Sequence, residues 1–263
     1  MKRSTGARLC AIAAVSALSL AFVTGCSSDS DEKSTDAKDS KGSASASAAA
    51  SDVKALTSAE LEKLLLAKGD VKGYTFDSGD DTLPKSKSAV KTDKAACDPL
   101  AWATAGLAPG DTDANASNSL TEDKTSSATA SPDAADIEDA FDVSLTFVGL
   151  SSYDGDGAEK AMKTVSDGVT ACASGYGLKA DGEDSKVTKV ASEKGTGGGD
   201  EAIAFAETVD MDGEGTATFH AEAIRTGNTI ATFYTVSFAA LAKGGEMDVN
   251  PAAVVTAQVA KLK

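Results

Sequence analysis

The sequence predicts an α+β domain in which helices cover a mainly antiparallel sheet, with one disulfide and a disordered N-terminal tether. Four segments between 186 and 239 have strand-like composition and are separated by glycine-containing turns. Three other segments, near 57–68, 157–174 and 251–262, repeat apolar residues at helical spacing. Helices and strands that follow one another without a regular β-α-β alternation are typical of α+β domains.

Residues 1–25 have the composition of an export signal. Three basic residues precede an apolar run from Leu9 to Val23, which is too short and too rich in alanine for a membrane span. The run leads into Val23-Thr24-Gly25-Cys26, which resembles the bacterial lipobox, whose cysteine receives a diacylglyceryl group. We therefore expect cleavage before Cys26 and lipidation of its thiol. The alternatives are an ordinary signal peptide, with Cys26 a plain thiol, and an uncleaved anchor.

Residues 26–52 are the lipidated cysteine and the predicted tether. After Cys26 nearly every residue is Ser, Asp, Lys, Ala, Glu, Gly or Thr, and such a segment cannot bury enough apolar surface to fold. As a flexible coil it has a root-mean-square reach of roughly 25 to 30 Å. Residues 53–263 are then predicted to form a single domain, held by the lipid on the outer face of the cell membrane.

The chain is strongly acidic, with 40 Asp and Glu against 25 Lys and Arg and a net charge of −15 at pH 7. Removal of the signal takes away three basic residues and no acidic one, which leaves about −18. Nucleic acid and anionic lipid are poor partners for such a surface, so the expected contact with the membrane is through the lipid anchor. The acidity is expected to keep the protein soluble. The alternative is a patch that captures cations or a basic partner.

Two cysteines remain for the folded domain, because Cys10 lies in the signal and Cys26 carries the lipid. In an exported chain, Cys97 and Cys172 predict one disulfide. A two-cysteine metal site is the alternative, but the chain has a single histidine, His220, and no C-x-x-C motif, so the site would lack ligands. We expect neither a metal nor a cofactor.

The first half of the domain is predicted to hold two helices, one strand and a loop. Thr57-Ser58-Ala59-Glu60 is a capping box ahead of an apolar helix face, which predicts a helix over about 57–68. A short strand is predicted near 73–77. Asp98-Pro99 predicts a short helix directly after the first domain cysteine. Residues 108–135 are rich in Ser, Thr, Ala, Asp and Asn, which predicts a long disordered excursion.

The second half is predicted to contain most of the sheet. Alternation of apolar and polar residues predicts a half-buried strand carrying Phe141, Val143, Leu145 and Phe147. Helical spacing over 157–174 places Cys172 on the inner face of a helix, where it can reach Cys97. Further strands are predicted at about 186–191, 201–209, 214–225 and 229–239. Gly227-Asn228 predicts a two-residue hairpin turn, and Asn250-Pro251 the start of a closing helix.

The order of these features resembles a known domain. A first cysteine precedes a variable loop, and a strand leads to a helix that ends in a second cysteine. The hairpin Ala223-Ile224-Arg225-Thr226-Gly227-Asn228-Thr229-Ile230-Ala231 follows. In these respects residues 55–263 are similar to the extracellular sensor-like domain of the mycobacterial PknH-type kinases and to stand-alone actinobacterial lipoproteins built on a similar plan. The resemblance implies a cleft suited to ligand or partner binding and implies no activity. Those kinase domains typically carry two disulfides, whereas this chain has cysteines for one.

No catalytic residues are predicted. Nucleophilic hydrolysis needs a base beside the nucleophile, and His220 is predicted to be a solvated strand residue on the face shared with Thr218 and Glu222. Ser88-Ala89-Val90-Lys91 matches S-x-x-K but lacks the companion S-D-N and K-T-G elements. Asp154-Gly155-Asp156-Gly157 departs from the calcium-loop pattern from its fourth position onward. We therefore expect that the chain is not an enzyme.

Three aromatic residues are candidates for binding a ligand: Trp102, Tyr153 and Tyr234. Because aromatic residues make up only 5% of the chain, a place in the core is the competing role for each. The leading hypothesis is a non-catalytic, lipid-anchored sensor-like or ligand-binding domain that recognises an unknown envelope ligand. One alternative is an envelope protein-interaction module without a small-molecule pocket. The other is a cell-wall hydrolase, which the single histidine disfavours.

Overall fold

The computed structural model describes residues 53–77, 83–122, 143–180, 182–212 and 215–263. The predicted signal peptide, Cys26 and the tether lie outside these residues, as does the part of the predicted excursion from 123 to 135. Across the described ranges, no helix has both the length and the apolar character that a membrane span requires.

The described residues form five α-helices and two short 3-10 turns. The helices are α1 (Ser58–Leu64), α2 (Asp98–Ala103), α3 (Gly157–Ala171), α4 (Phe238–Lys243) and α5 (Ala252–Lys261). The 3-10 turns are Lys87–Ala89 and Ala95–Cys97. The predicted capping box is present, since the Thr57 side chain accepts from the Glu60 N–H and the Glu60 carboxylate accepts from the Thr57 N–H at 2.8 Å.

Ten strands in the described residues form one sheet. They are β1 (Tyr74–Asp77), β2 (Val90–Thr92), β3 (Asn115–Glu122), β4 (Ser144–Ser152), β5 (Tyr176–Ala180), β6 (Glu183–Glu193), β7 (Glu201–Asp210), β8 (Thr216–Thr226), β9 (Thr229–Ser237) and β10 (Gly245–Glu246). Their order is β1-β3-β4-β9-β8-β7-β6-β5-β2, with every neighbouring pair antiparallel, while β10 lies parallel to β8. The predicted α+β class with a mainly antiparallel sheet is confirmed.

Helices pack on both faces of the sheet. On one face, here the α1 face, α1 and α5 share a core cluster with Val148 and Phe233. On the other, the α2 face, α2 and α3 share a cluster with Phe205 and Ala221. Because successive residues of a strand point to opposite faces, neighbouring positions of the same strand contribute to different clusters.

A buried glutamine joins α5 to the end of α1. The Gln258 side-chain oxygen accepts from the Leu66 N–H at 3.0 Å, and its amide donates to the Leu64 carbonyl at 2.8 Å. The last turn of a helix leaves carbonyls without partners inside the helix. Gln258 therefore completes the hydrogen bonding of a helix end that the closing helix covers.

The predicted disulfide between Cys97 and Cys172 is confirmed, with 5.9 Å between the two Cα atoms. It ties the turn that precedes α2 to the residue that follows α3, and both cysteines are fully buried. The two helices on the α2 face are thus linked covalently where they begin and end.

The prediction of a disordered excursion over 108–135 is wrong for its first half. Residues 115–122 form β3, which pairs with β1 on one side and β4 on the other. Ala116 and Leu120 are buried against the α1 face, and the Asn118 amide between them donates to the Leu66 carbonyl at 2.7 Å. Because the polar Asn118 occupies one of the inward positions of β3, the sequence does not show the apolar alternation that predicts a strand. The strand nevertheless forms, since β1 and β4 pair with its two edges.

Four other elements were not expected from the sequence, namely β2, β5, α4 and β10. The strand predicted over 229–239 ends at Ser237, whose hydroxyl accepts from the Ala240 N–H at 3.3 Å and caps α4. The strands β2, β5 and β10 are short, with three, five and two residues. They are ordered by pairing with longer neighbours, which a local pattern does not reveal.

Candidate functional site

An apolar cleft of about 390 Å³ opens on the α2 face of the sheet. Its lining residues are almost all apolar: Leu83, Pro84, Val90, Ala101, Thr104, Ala105, Leu145, Phe147, Leu178, Ala180, Tyr234, Val236 and Phe238. Small-molecule sites are typically concave, mainly apolar and supplied with a few polar groups. The volume and the lining of this cleft fit that description.

The floor of the cleft comes from two central strands. Leu145 and Phe147 of β4 lie beside Tyr234 and Val236 of β9, with Phe147 directly opposite Tyr234. Residues opposite one another in an antiparallel pair share a face, and every second residue returns to that face. The alternation predicted for Leu145 and Phe147 is therefore correct, but these side chains line an open cleft, while Val148 on the α1 face enters the closed core.

The walls come from α2 and from the far edge of the sheet. Ala101, Thr104 and Ala105 lie at the end of α2, and Val90 belongs to the short strand β2. Phe238, the first residue of α4, stands at the rim and is 49% exposed. The cleft thus lies between helix α2, the floor strands and the β2–β5 edge.

Tyr234 is the centre of an aromatic group in the floor. Its ring stacks on Phe219 with 5.5 Å between centroids and on Phe147 with 6.3 Å. Within the part of the chain that the structure describes, the Tyr234 hydroxyl has no hydrogen-bond partner. Burial raises the pKa of this hydroxyl, and the charge of Glu207 raises it further. The hydroxyl therefore stays protonated at neutral pH and is available as a donor.

Glu207 is a buried carboxyl group next to this floor. Its side chain, on β7, is 5% exposed and accepts a hydrogen bond from the Tyr176 hydroxyl at 2.7 Å. Burial raises the pKa of Glu207 to about 7, although the bond from Tyr176 acts in the opposite direction. The pKa of Tyr176 is raised first by burial and then by the Glu207 charge. Buried groups with displaced pKa values beside a cleft are frequent at functional sites.

The residue pattern of β7 contains a signal for a buried Glu207. Ile203, Phe205 and Val209 alternate along β7 with residues of the opposite face, and Glu207 occupies the next position of the same series. A glutamate in an otherwise apolar series on one strand face indicates a buried acid. The pattern of its own strand therefore distinguishes Glu207 among the 40 acidic residues of the chain.

Of the three aromatic candidates, only Tyr234 lines the cleft. Trp102 is half-buried beneath Lys87, whose Nζ is 4.7 Å from the ring centroid, and its indole N–H donates to the Val90 carbonyl at 3.5 Å. Tyr153 is a core residue whose hydroxyl accepts from the Gly110 N–H and from the Ser151 hydroxyl, each at 3.1 Å. Tyr153 lies in the core, and Trp102 packs half-buried against the cluster on the α2 face.

His220 is buried, so the prediction of a solvated strand residue is wrong. It is 5% exposed, its Nδ1 lies 2.8 Å from a Glu193 carboxylate oxygen, and its carbonyl accepts from the Asn250 amide at 3.3 Å. The chain covers it after α4, where β10 runs beside β8 and the Met247 N–H donates to the Thr218 carbonyl. His220 belongs to the α1 face, so the sheet separates it from the cleft.

Neither a scan of protein-family models nor a search of curated proteins found a match. A search of solved structures found the extracellular domain of PknH from Mycobacterium tuberculosis. The fold is similar to that domain. The sequences are 13% identical, the TM-score is 0.47, and the match covers 80% of this chain and 97% of that chain. This is the type of domain that the sequence resembles.

Proposed function

We propose that the chain is a non-catalytic, lipid-anchored domain outside the cell membrane that binds an apolar small molecule in the cleft on the α2 face. The observation that carries the proposal is the cleft itself. It has about 390 Å³ of space, and Thr104 and Tyr234 supply the hydroxyl groups of an otherwise apolar lining. A lining of this kind stabilises an apolar ligand by removing its surface from water.

The chemistry of the cleft favours binding over catalysis. General acid–base catalysis most often uses histidine, and the single histidine of the chain lies on the opposite face of the sheet. The Thr104 hydroxyl donates to the Leu100 and Ala101 carbonyls of its own helix, each at 3.2 Å. Among the lining residues this leaves Tyr234 to orient a ligand, and none of them is a base that could activate a nucleophile. The carboxylate beside the floor, Glu207, does not line the cleft.

The proposed location rests on the N-terminal sequence. In the proposed lipoprotein, Cys26 of the lipobox-like Val23-Thr24-Gly25-Cys26 carries a diacylglyceryl group with two acyl chains. Two acyl chains hold a protein on a bilayer stably, whereas one does not. In the proposed arrangement residues 27–52 connect the lipidated cysteine to the domain, whose cleft meets ligands at the membrane surface or in the space beyond it. Replacing Cys26 with serine is expected to abolish incorporation of labelled fatty acid and to release the protein from the membrane fraction.

Ligand binding is tested with the chain from Ser27 to Lys263, which keeps every described residue. The oxidised protein is incubated with envelope lipid extract and analysed by native mass spectrometry, and its thermal unfolding is measured in parallel. A ligand present at 100 times its Kd stabilises by about 2.7 kcal/mol. For a domain of this size that raises Tm by roughly 5 to 10 °C.

Leu145→Trp fills the floor of the cleft and is expected to abolish both the adduct and the rise in Tm. Val249→Trp is the matched control, because Val249 is 67% exposed and lies outside the lining. An adduct that persists in Leu145→Trp would place the ligand elsewhere. Absence of any adduct from the folded, disulfide-bonded chain would reject the cleft as a small-molecule site and favour a protein partner.

A further inference from the structure

We propose that the cleft selects uncharged apolar molecules over anions of the same shape, and that Glu207 imposes this selection. The inference rests on the proposed function, since it names the class of ligand that the cleft accepts. It concerns a residue that does not line the cleft but lies beside its floor on the same face of the sheet.

The strand register places Glu207 next to the cleft. Glu207 of β7 is directly opposite Phe219 of β8, and Ala221 of β8 is directly opposite Tyr234 of β9. All four side chains therefore point to the α2 face. The Phe219 ring stacks on the Tyr234 ring, so a continuous contact leads from the strand of Glu207 to a residue of the cleft floor.

The separation is short enough for electrostatic repulsion to matter. Two strand spacings place the β7 and β9 backbones about 10 Å apart. Two unit charges about 10 Å apart, in a medium with an effective dielectric constant of about 20, repel strongly enough to change an affinity roughly tenfold. The effect on the Tyr234 hydroxyl, whose pKa the Glu207 charge raises, is the same repulsion acting on a neighbouring group.

Nothing in the described cleft compensates an incoming anion. The described lining contains no lysine or arginine, and the causes that shift the pKa of Glu207 are burial and the Tyr176 hydrogen bond, not a nearby cation. The Glu207 carboxylate faces two titratable groups, Tyr176, which donates to it, and Tyr234. Asp98 acts on Tyr176 from α2 and adds further negative charge. An anion would lose its hydration without gaining a cationic partner, which is costly.

The test uses two fluorescent probes that share one skeleton. N-phenyl-1-naphthylamine is neutral, and 1-anilinonaphthalene-8-sulfonate carries a negative charge at all pH values used. Dissociation constants of both are measured for the oxidised chain from Ser27 to Lys263 at about pH 8.5 and at physiological salt, which screens distant surface charges. The measured quantity is the dissociation constant of the anionic probe divided by that of the neutral probe. A ratio is used because the two probes differ in hydration even without the protein.

We expect Glu207→Gln to reduce this ratio about tenfold at pH 8.5, by strengthening binding of the anionic probe. Glu159→Gln removes an equal charge from an exposed position on α3 and is expected to leave the ratio unchanged. Lowering the pH of the unmodified chain to about 5.5 protonates Glu207 and is expected to reproduce the effect of Glu207→Gln. Both tyrosines stay protonated over this range, so the pH series gives an answer even where the variant does not fold.

The outcomes separate this inference from the proposed function. If the neutral probe binds and Leu145→Trp abolishes its binding, but the ratio is the same in the wild type, in Glu207→Gln and at low pH, charge selection is overturned while binding in the cleft stands. If the neutral probe does not bind the folded chain, both proposals fail. A ratio that changes equally in Glu207→Gln and Glu159→Gln would assign the selection to net charge and overturn the role of Glu207.

Discussion

Replacing Glu207 with glutamine is expected to stabilise the domain in a pH-dependent manner. The carboxyl group is buried on the α2 face, where among the described residues it accepts one hydrogen bond, from the Tyr176 hydroxyl. Glutamine has almost the same shape, and its side-chain oxygen still accepts that bond. The substitution therefore removes the capacity to ionise while it leaves the packing and the hydrogen bond in place.

The magnitude follows from the pKa of Glu207, which burial raises from the ordinary 4.5 to about 7. Below about pH 4.5 the carboxyl group is protonated in both the folded and the unfolded chain, so ionisation costs no stability. As the pH rises, the unfolded chain loses the proton first, and folding is disfavoured progressively until the folded group ionises near pH 7. Above that pH the cost is constant at about 3 kcal/mol.

The assay is urea denaturation of the oxidised wild type and Glu207→Gln between about pH 4 and pH 9. The difference in unfolding free energy is expected to be small at the acid end and to grow to about 3 kcal/mol in favour of the variant above pH 7. Glu159→Gln, at an exposed site, is the control and is expected to show no such growth. A difference that stays constant across the pH range would refute the claim that burial displaces the pKa of Glu207.

Four further variants test the packing around the cleft, each by urea denaturation. Replacing both cysteines of the disulfide with alanine opens a loop of 75 residues and is expected to cost about 4 kcal/mol, and a loss below about 1 kcal/mol would contradict this. Tyr176→Phe leaves the Glu207 carboxyl group without its donor and is expected to cost about 1 to 3 kcal/mol. Tyr234→Phe removes a hydroxyl group that has no partner among the described residues, and it is expected to change stability by less than about 0.5 kcal/mol. Equal losses in the two variants would argue against the Tyr176 bond. Gly149→Ala puts a methyl group 2.7 Å from the Gly106 carbonyl oxygen, so the turn after α2 must move away from the sheet. The expected cost is about 1 to 3 kcal/mol. An unchanged stability would show that the turn moves without cost.

The elements predicted correctly are those with a strong local signal. The capping box at Thr57 marks the start of α1, the helical spacing up to Cys172 marks α3, and Gly227-Asn228 marks the β8–β9 hairpin. Strands β6 to β9 were each predicted within a few residues of their observed bounds. Caps, periodicity and turn residues act over a few neighbouring positions, so they can be recognised without knowledge of the rest of the chain.

The elements and residues that were missed depend on distant partners. Strand β3 is ordered by β1 and β4 on its two sides, and its inward Asn118 is stabilised by the Leu66 carbonyl, 52 positions away in the chain. His220 is buried by a segment that returns after α4. In each case a small or polar side chain is buried because another part of the chain supplies its hydrogen bonds, and sequence spacing does not report such contacts.

By itself, the sequence determined the α+β class, most of the sheet, the disulfide partners and the prediction of a lipid anchor, because each is specified by local residue chemistry or by counting cysteines. Only the tertiary structure decided which aromatic residue reaches a cavity and what surrounds Glu207. Tyr234 lines the cleft because β4 and β9 pair in a register that places it beside Phe147. Glu207 acquires its displaced pKa because residues distant in the chain exclude water from it, and burial of this kind arises only when the sheet and its helices have come together.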